Sequence, residues 1–320
     1  MKNFLKYILK ILAVILISFF GIQYFSDSGL RNLKNSIYND WDNILQGKIN
    51  ADVIVNGSSR GIFGYNCEII GKELNSSCFN ISFNAGGYYL QQSKFDIYMQ
   101  RNKKPKFIIQ NIDLAHFQKN TELPNEEQFT PFINNQSIKS FITKYDPKFF
   151  YLGYIPLLKY NQNLKLLKKG ITANFSSSIQ NENDKTFDGF SPQNRAFKID
   201  YHNLKKIKNY KENIDEKKIR RLVNEMVDFY FERNKDAKVF FVWAPEHKLR
   251  CDEAFPLKGK IIVDELNIIK NKNKNFQFIN MRINDISSHN EYYYDTFHLN
   301  KIGAAVFSKQ LTNKIKNILN

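Results

Sequence analysis

The stretch DVIVNGSSRG occupies residues 52 to 61 and predicts the fold of the chain. Its first half is a short run of apolar, β-branched residues, which is typical of a strand buried on both faces of a parallel sheet. Its second half places two serines between Gly57 and Gly61, and glycine permits a tight turn out of such a strand. The stretch therefore predicts a buried strand followed by a turn that exposes a serine hydroxyl.

Apolar runs of the same kind recur along the chain, and polar or small residues follow them. They cover residues 79 to 83, 106 to 110, 238 to 243 and 276 to 279. Between them lie stretches with helical period, such as residues 214 to 233, whose apolar side chains fall on one face. The alternation predicts an α/β fold, a three-layer α/β/α sandwich with a central parallel sheet. Ligands bind such sheets beyond the carboxyl ends of the strands.

The composition is that of a folded and strongly basic protein. Of the 320 residues 42% are hydrophobic, and 28 Phe and 17 Tyr exclude a largely disordered chain. The net charge of +16 favours anionic surfaces as partners. The three cysteines form no CxxC pair and have no accompanying histidine spacing, so the sequence predicts neither a metal site nor a cofactor. At most one disulfide can form, and Cys67 and Cys78 are the nearer pair.

The amino terminus carries a candidate membrane anchor. Three lysines precede an apolar stretch from residue 11 to residue 25, and counting from Tyr7 gives about the 20 residues that span a bilayer. The segment lacks a good cleavage site, so residues 1 to 28 are predicted to be an uncleaved single-pass helix with a cytoplasmic amino terminus. The alternatives are a cleaved signal and a buried amphipathic helix. Residues 29 to 320 would then be extracytoplasmic, where nucleic acid is excluded as a partner.

Residues 118 to 210 fit the alternation of strands and helices poorly. They are rich in Asn, Lys, Ser and aromatic residues, with helical fragments such as residues 155 to 167. We interpret this region as an insertion in the main domain. A cap over an active site is the functional interpretation, and a loosely packed surface is the alternative.

Two clusters contain the residue types of nucleophilic catalysis. One is the pair of serines in the turn after the first strand, and the other is Asp295 and His298 near the carboxyl terminus. Serine needs a base whose second ring nitrogen is oriented by an acceptor. Asp and His three residues apart can enter a site together from one loop. Residues 57 to 61 also satisfy G-x-S-x-G, but an α/β-hydrolase has strands before its elbow and brings acid and histidine from separate loops.

With these motifs the sequence resembles the SGNH, or GDSL-like, hydrolase and acyltransferase superfamily, within it the membrane-anchored envelope proteins. The resemblance covers most of residues 50 to 320 and is clearest at residues 52 to 61, 85 to 89, 107 to 113 and 295 to 304. It implies that Ser59 is the nucleophile, with Ser58 where many members have Asp, and that Asp295 and His298 complete the triad. The implied oxyanion donors are the backbone N–H groups of Ser59 and of Gly86 or Gly87. The third block departs from the family pattern, so the usual Asn side chain is either displaced to Asn111 or absent.

The resemblance implies a serine esterase or O-acyltransferase acting on acyl esters of cell-envelope carbohydrate. A transferase of this kind would work with a multi-spanning membrane protein that exports the acyl group. The alternative is a non-catalytic envelope component that binds glycan or a membrane partner. Glu246 and His247 follow a predicted strand and are candidate substrate contacts. Arg60, beside the nucleophile, is predicted either to bind an anionic group or to cap a helix.

Overall fold

The structure is a computed structural model that describes residues 2–114, 122–176, 184–208, 214–251 and 256–320. The chain forms two compact units. The first comprises the described residues of Met1–Asp42 and Thr121–Gln180, and the second those of Asn43–Asn120 and Asn181–Asn320. The domain limits predicted from the sequence stay a prediction, and residues 118–121, 177–183 and 209–210 of the predicted insertion lie outside the described residues.

The second unit is built on a parallel sheet of five strands in the order β2-β1-β3-β4-β5. The strands are β1 (Val53–Asn56), β2 (Cys78–Asn80), β3 (Phe107–Asn111), β4 (Lys238–Trp243) and β5 (Phe276–Asn280). Each overlaps one of the apolar runs recognised in the sequence. The predicted α/β fold with a central parallel sheet is therefore confirmed.

Thirteen α-helices occur in the described residues. They are α1 (Lys2–Asn32), α2 (Ile37–Leu45), α3 (Ser59–Gly64), α4 (Cys67–Leu74), α5 (Tyr88–Met99), α6 (Gln136–Ile142), α7 (Phe149–Leu152), α8 (Leu164–Ala173), α9 (Tyr201–Lys208), α10 (Glu216–Arg233), α11 (Lys248–Cys251), α12 (Pro256–Lys272) and α13 (Lys301–Leu319). Short 3₁₀ helices cover Glu126–Phe132, Leu158–Tyr160, Asp285–Ser288 and Asn290–Tyr292.

Helices cover both faces of the sheet because side chains alternate along each strand. Helices α3, α4 and α13 pack on one face, where Phe307 and Leu311 join a core with Val55 and Phe240. Helices α5, α10 and α12 lie on the other face, where the ring of Tyr230 is 6.1 Å from that of Phe241. This burial on both sides explains why the strands read as continuous apolar runs.

One disulfide links Cys67, the first residue of α4, to Cys78, the first residue of β2. Cys251 is free. The pair that is nearer in the sequence is therefore the pair that bonds, and it fastens a helix to an edge strand.

The first unit contains the long apolar helix α1. It is the one helix in the described residues with the length and composition to cross a membrane. Residues 2–22 of α1 are exposed, whereas buried positions begin at Gln23. From there the helix packs on α8, and Gly29 approaches so closely that a β-carbon would lie 1.9 Å from the carbonyl oxygen of Gly170. The last two turns of α1 thus belong to the packed interior of the first unit.

Candidate active site

Ser59 lies where β1 passes into α3, at the carboxyl edge of the sheet. Ser58 is the N-cap residue of α3, and its hydroxyl oxygen accepts a hydrogen bond from the N–H of Arg60 at 3.3 Å. The turn requires glycine because the backbone meets its neighbours directly. A β-carbon on Gly57 would lie 2.8 Å from the β-carbon of Asn111, and one on Gly61 would lie 2.2 Å from Oγ of Ser82. Close packing therefore fixes Ser59 at the first helical position.

The hydroxyl of Ser59 meets the imidazole of His298 at this edge. Ser59 Oγ lies 2.8 Å from His298 Nε2, although the two residues are 239 positions apart in the chain. On the other side of the ring, His298 Nδ1 lies 2.8 Å from Oδ2 of Asp295. A proton on Nδ1 bonded to the carboxylate leaves Nε2 free to accept the serine proton. The structure thus brings together the three residues that the sequence motifs single out.

The carboxylate of Asp295 is held in place by its own loop. Its Oδ1 accepts hydrogen bonds from the backbone N–H groups of Phe297 and His298, both at 2.7 Å. Burial alone would raise the pKa of Asp295. The hydrogen bond and charge of His298, together with these backbone donors, outweigh burial and lower the pKa below its ordinary value. Asp295 is therefore ionised when it orients the imidazole.

Aromatic rings confine the imidazole of His298. The ring of Tyr294 stacks on it with centroids 5.2 Å apart and planes at 1°. The rings of Phe297 and Phe63 meet it edge-on, with ring centroids 4.8 Å and 5.6 Å from that of the imidazole. These contacts leave the ring little freedom to turn away from Ser59.

The predicted oxyanion donors lie in different surroundings. Within the described part of the chain the backbone N–H of Ser59 forms no hydrogen bond. The N–H of Gly86 donates to the carbonyl oxygen of Phe83 at 2.9 Å and is used within its own turn. Gly87 is the N-cap residue of α5. Ser59 therefore offers the clearest backbone donor, and the roles of the two glycines stay predictions.

Asn111, the last residue of β3, is completely buried beneath the start of α3. Its Oδ1 accepts a hydrogen bond from the hydroxyl of Tyr65 at 2.9 Å. Its Nδ2 is also buried and has no hydrogen-bond partner in the structure. An amide donor is thus present next to the serine turn, at the position to which the sequence assigns the displaced Asn.

Arg60 is buried and ties α3 to the end of β4. Its guanidinium donates to Oε1 of Glu246 at 2.9 Å and to the carbonyl oxygens of Ala244 and Pro245 at 2.6 Å and 3.0 Å. Its guanidinium also lies 5.0 Å from the ring centroid of Phe297. The guanidinium is thus occupied by protein groups, and the predicted roles of Arg60 in binding an anionic group or capping a helix stay predictions. Arg60 positions the turn instead of facing solvent.

Glu246 and His247 are buried as well, and their predicted role as substrate contacts stays a prediction. Glu246 also accepts a hydrogen bond from Arg282 at 3.3 Å, and Nε of Arg250 lies 3.6 Å away. Burial opposes the charge of Glu246, but Arg60, then Arg282 and Arg250, outweigh burial and lower its pKa. His247 bonds Asn290 at 2.9 Å through Nε2. Both residues thus organise the loops around the triad.

Some residues of the site have no signal in the sequence. Tyr294 reads as one of three consecutive tyrosines, and nothing marks it as the ring that stacks on His298. Residues 191–198 belong to the predicted insertion, and nothing in their sequence marks this segment as part of the site. In the structure the N–H of Ser191 donates to the carbonyl oxygen of Ile62 at 3.0 Å, and that of Lys198 to Tyr294 at 2.9 Å. The segment therefore joins the serine helix to the histidine loop.

Asp113 holds the turn from the neighbouring strand. The hydroxyl of Ser58 donates to Oδ2 of Asp113 at 2.6 Å, and both residues are buried. No cluster of three or more His, Cys, Asp or Glu in the described residues could hold a metal ion.

No family model matches the chain, and no curated protein matches it either. Among solved structures, the chain is similar to a family two carbohydrate esterase from Clostridium thermocellum, with 10% identity and a TM-score of 0.43 over 83% of this chain and 63% of that one. It is similar to an acetyl xylan esterase from Butyrivibrio proteoclasticus, with 11% identity and a TM-score of 0.40 over 83% and 63%.

A carbohydrate esterase family 2 enzyme from Myceliophthora fergusii is similar at 8% identity and a TM-score of 0.43, over 83% of this chain and 66% of that one. The chain spans less than two thirds of the length of each of these three esterases. Likeness at this level does not bear on activity. The roles of the residues rest on the geometry described above.

Proposed function

We propose that the chain is a serine-dependent esterase or O-acyltransferase with Ser59 as nucleophile, His298 as general base and Asp295 as the orienting acid. The observation that carries the proposal is the continuous path from Ser59 Oγ to His298 Nε2 at 2.8 Å and from His298 Nδ1 to Asp295 at 2.8 Å. The same geometry recurs on several unrelated folds that activate a serine for acyl transfer.

The proposed reaction has two halves. Ser59 attacks the acyl carbonyl carbon while His298 takes the hydroxyl proton, and the resulting oxyanion is held by the N–H of Ser59. The C–O bond of the ester then breaks, His298 returns the proton to the leaving alcohol, and an acyl-serine remains. An acceptor hydroxyl repeats the steps in reverse. Water as acceptor gives an esterase, and a sugar hydroxyl gives an O-acyltransferase.

The proposed substrates are acyl esters of cell-envelope carbohydrate. The support is α1, whose length and composition suit a membrane span with lysines at positions 2, 6 and 10 on the cytoplasmic side. That orientation would place the site outside the cytoplasm, where envelope carbohydrate is found. In the transfer reaction, a multi-spanning membrane protein would supply the exported acyl group.

A fluorophosphonate probe tests the nucleophile, because it reacts covalently with activated serines. Full-length protein should be labelled, and labelling should be lost in Ser59→Ala and in His298→Ala. Ser288→Ala, which removes an exposed serine elsewhere, should be labelled like the parent protein. Labelling that persists in Ser59→Ala would reject the assignment.

A second candidate is a non-catalytic envelope component that binds glycan or a membrane partner. The observation that favours it is the state of the oxyanion donors, since the N–H of Gly86 is used in its own turn and Asn111 is buried. This candidate predicts a folded protein that the probe does not label. Loss of a single oxyanion donor costs about 10²- to 10³-fold in rate, so labelling should be followed over hours.

A further inference from the structure

The first unit exposes a set of large apolar side chains on the segments that follow α6 and α8. We call this set the aromatic patch, and it consists of Phe150, Tyr151, Tyr154, Ile155 and Phe175. Between 51% and 81% of each of these residues is exposed. Exposed apolar side chains grouped in this way mark a surface that meets another apolar phase.

Part of the aromatic patch is bound together by a lysine. The rings of Phe150 and Tyr154 lie 5.9 Å apart. The ammonium of Lys139 stands over both rings, 4.6 Å and 4.1 Å from their centroids, and donates to the hydroxyl of Tyr154 at 2.8 Å. A cation held against aromatic rings presents a positive charge beside apolar surface. This combination suits the boundary between lipid headgroups and acyl chains.

Contacts with α1 fix where the aromatic patch lies along that helix. Just beyond Ile155, the N–H of Leu157 donates to Oε1 of Gln23 at 2.8 Å. At the other end, the ring of Phe175 is 5.9 Å from the ring of Phe25, and Asn174 donates to the Phe25 carbonyl oxygen at 2.9 Å. Both ends of the patch therefore meet α1 at residues 23 to 25.

This level of α1 is where a membrane-spanning helix would leave the bilayer. At about 1.5 Å per residue, residues 7 to 25 extend roughly 28 Å, close to the thickness of the hydrocarbon core. One helical turn beyond Gln23, Asp27 accepts hydrogen bonds from Lys159 and Tyr160, both at 2.6 Å. Such a polar cluster belongs outside the hydrocarbon core.

We propose that the aromatic patch inserts into the headgroup region of the outer lipid leaflet, beside the point where α1 emerges. The occupant of this surface is a phospholipid leaflet. The proposal rests on α1 spanning the membrane, which is part of the proposed function. It adds a second attachment, so that the first unit is held against the bilayer at a fixed orientation instead of swinging on a single helix.

Depth-dependent fluorescence quenching tests this proposal in the full-length protein. In a Cys251→Ser background, single cysteines replace Ile155, Phe175, Ile17 or Asn32 and carry an environment-sensitive fluorophore. The proteins are reconstituted into phosphatidylcholine and phosphatidylglycerol vesicles that contain nitroxide lipids labelled near the headgroup or deep in the acyl chain. Far-ultraviolet circular dichroism verifies that each variant is folded, independently of the role of Ser59.

We expect strong quenching at 155 and 175 by the shallow nitroxide, at least twofold above that at 32, and strong quenching at 17 by the deep one. Position 32 is the matched control, because it lies on the same helix roughly 10 Å beyond Phe25. Quenching at 17 with none at 155 and 175 would overturn the proposal while α1 still spans, and would favour a protein partner on the patch. Absence of quenching at 17 would reject both the span and the patch, and neither result affects the assignment of Ser59.

Discussion

The carboxylate of Asp295 holds both its own loop and the imidazole of His298 in place. Its Oδ1 accepts two backbone N–H groups, which fix the loop, and its Oδ2 faces His298 Nδ1 at 2.8 Å, which fixes the imidazole. An amide at this position could keep one acceptor oxygen but would lose the negative charge. In the proposed mechanism this charge stabilises the imidazolium that would form when Ser59 attacks.

Asp295→Asn should therefore lower kcat by about 10³- to 10⁴-fold while KM changes little, because the loss is confined to the transition state. The measurement is steady-state hydrolysis of a small activated ester such as p-nitrophenyl acetate. Asp285→Asn, which changes a carboxylate outside the triad, serves as control and should stay within twofold of the parent. A tenfold or smaller loss in Asp295→Asn would contradict the orienting role.

At this scale the sequence predicts the members of the triad but not the surroundings of the neighbouring charges. Ser59, Asp295 and His298 belong to short motifs in which chemistry restricts the residue types. Arg60 is different, because its partner Glu246 is 186 positions away in the chain. Whether such a charged side chain faces solvent or a buried carboxylate depends on tertiary packing, which no local pattern encodes.

The elements of the sheet are predicted well because each strand is buried on both faces. Continuous apolar runs with β-branched residues then mark strands regardless of register. The second strand is shorter than the apolar run that predicts it, because the run covers residues 79 to 83 whereas β2 covers Cys78–Asn80. The pairing continues irregularly, with the N–H of Ile81 bonded to Val55 and that of Phe83 to Gly57. The apolar run thus predicts the contact but not where regular strand geometry ends.

The disulfide between α4 and β2 should stabilise the fold without contributing to catalysis. It closes a loop with a sequence separation of 11, and a loop of that size contributes about 3 kcal/mol by restricting the unfolded chain. The double variant Cys67→Ser/Cys78→Ser should lose about this much free energy of unfolding in urea titrations. Its labelling by the fluorophosphonate probe should be unchanged under native conditions.

Cys251→Ser is the control for the disulfide variant, because it removes the cysteine that lies outside the disulfide and leaves the bonded pair intact. It should unfold within about 1 kcal/mol of the parent protein, as most conservative changes outside the core do. Equal stability of the parent and the double variant would show that the bond does not constrain the unfolded chain. Loss of labelling in the double variant would show instead that the bond supports the serine turn.

At the scale of the whole molecule, stability should fall in acid because buried carboxylates stay ionised in the folded state. The pKa values of Glu246 and Asp295 are both lowered. Their stabilisation is complete above their unfolded-state pKa values, about 4.3 and 3.9, and is lost as the pH falls through their folded-state values. The free energy of unfolding should therefore decrease below about pH 4.3.

Glu246→Gln isolates one part of this effect. At pH 6 it should destabilise the protein by about 3 to 5 kcal/mol, since it leaves buried guanidiniums without their counter-charge. The difference from the parent should begin to shrink below about pH 4.3, where the unfolded parent chain binds a proton at Glu246, and should keep shrinking until the pH has fallen through the lowered folded-state pKa. Exposed Glu232→Gln should differ little from the parent at either pH. A difference between Glu246→Gln and the parent that is constant from pH 6 to pH 3 would contradict the assigned direction of the shift.

The division into two units is the feature that the sequence predicts least. Composition marks residues 118 to 210 as foreign to the alternation of strands and helices. It does not reveal that residues such as Lys159 and Tyr160 bond Asp27 across more than 130 positions. Pairing of that kind depends on which polar groups become buried together. The interpretation of the insertion as a cap stays a prediction.

The separation of Ser59 from His298 along the chain also determines when the site can form during synthesis and folding. A nascent polypeptide that has been synthesised only through β4 already contains the proposed nucleophile, but it lacks His298, the proposed base. Reactivity would therefore arrive late and at one moment, when the last strand and the loop after it dock. An incompletely synthesised or proteolysed chain that ends before that loop would therefore be inactive toward cellular esters.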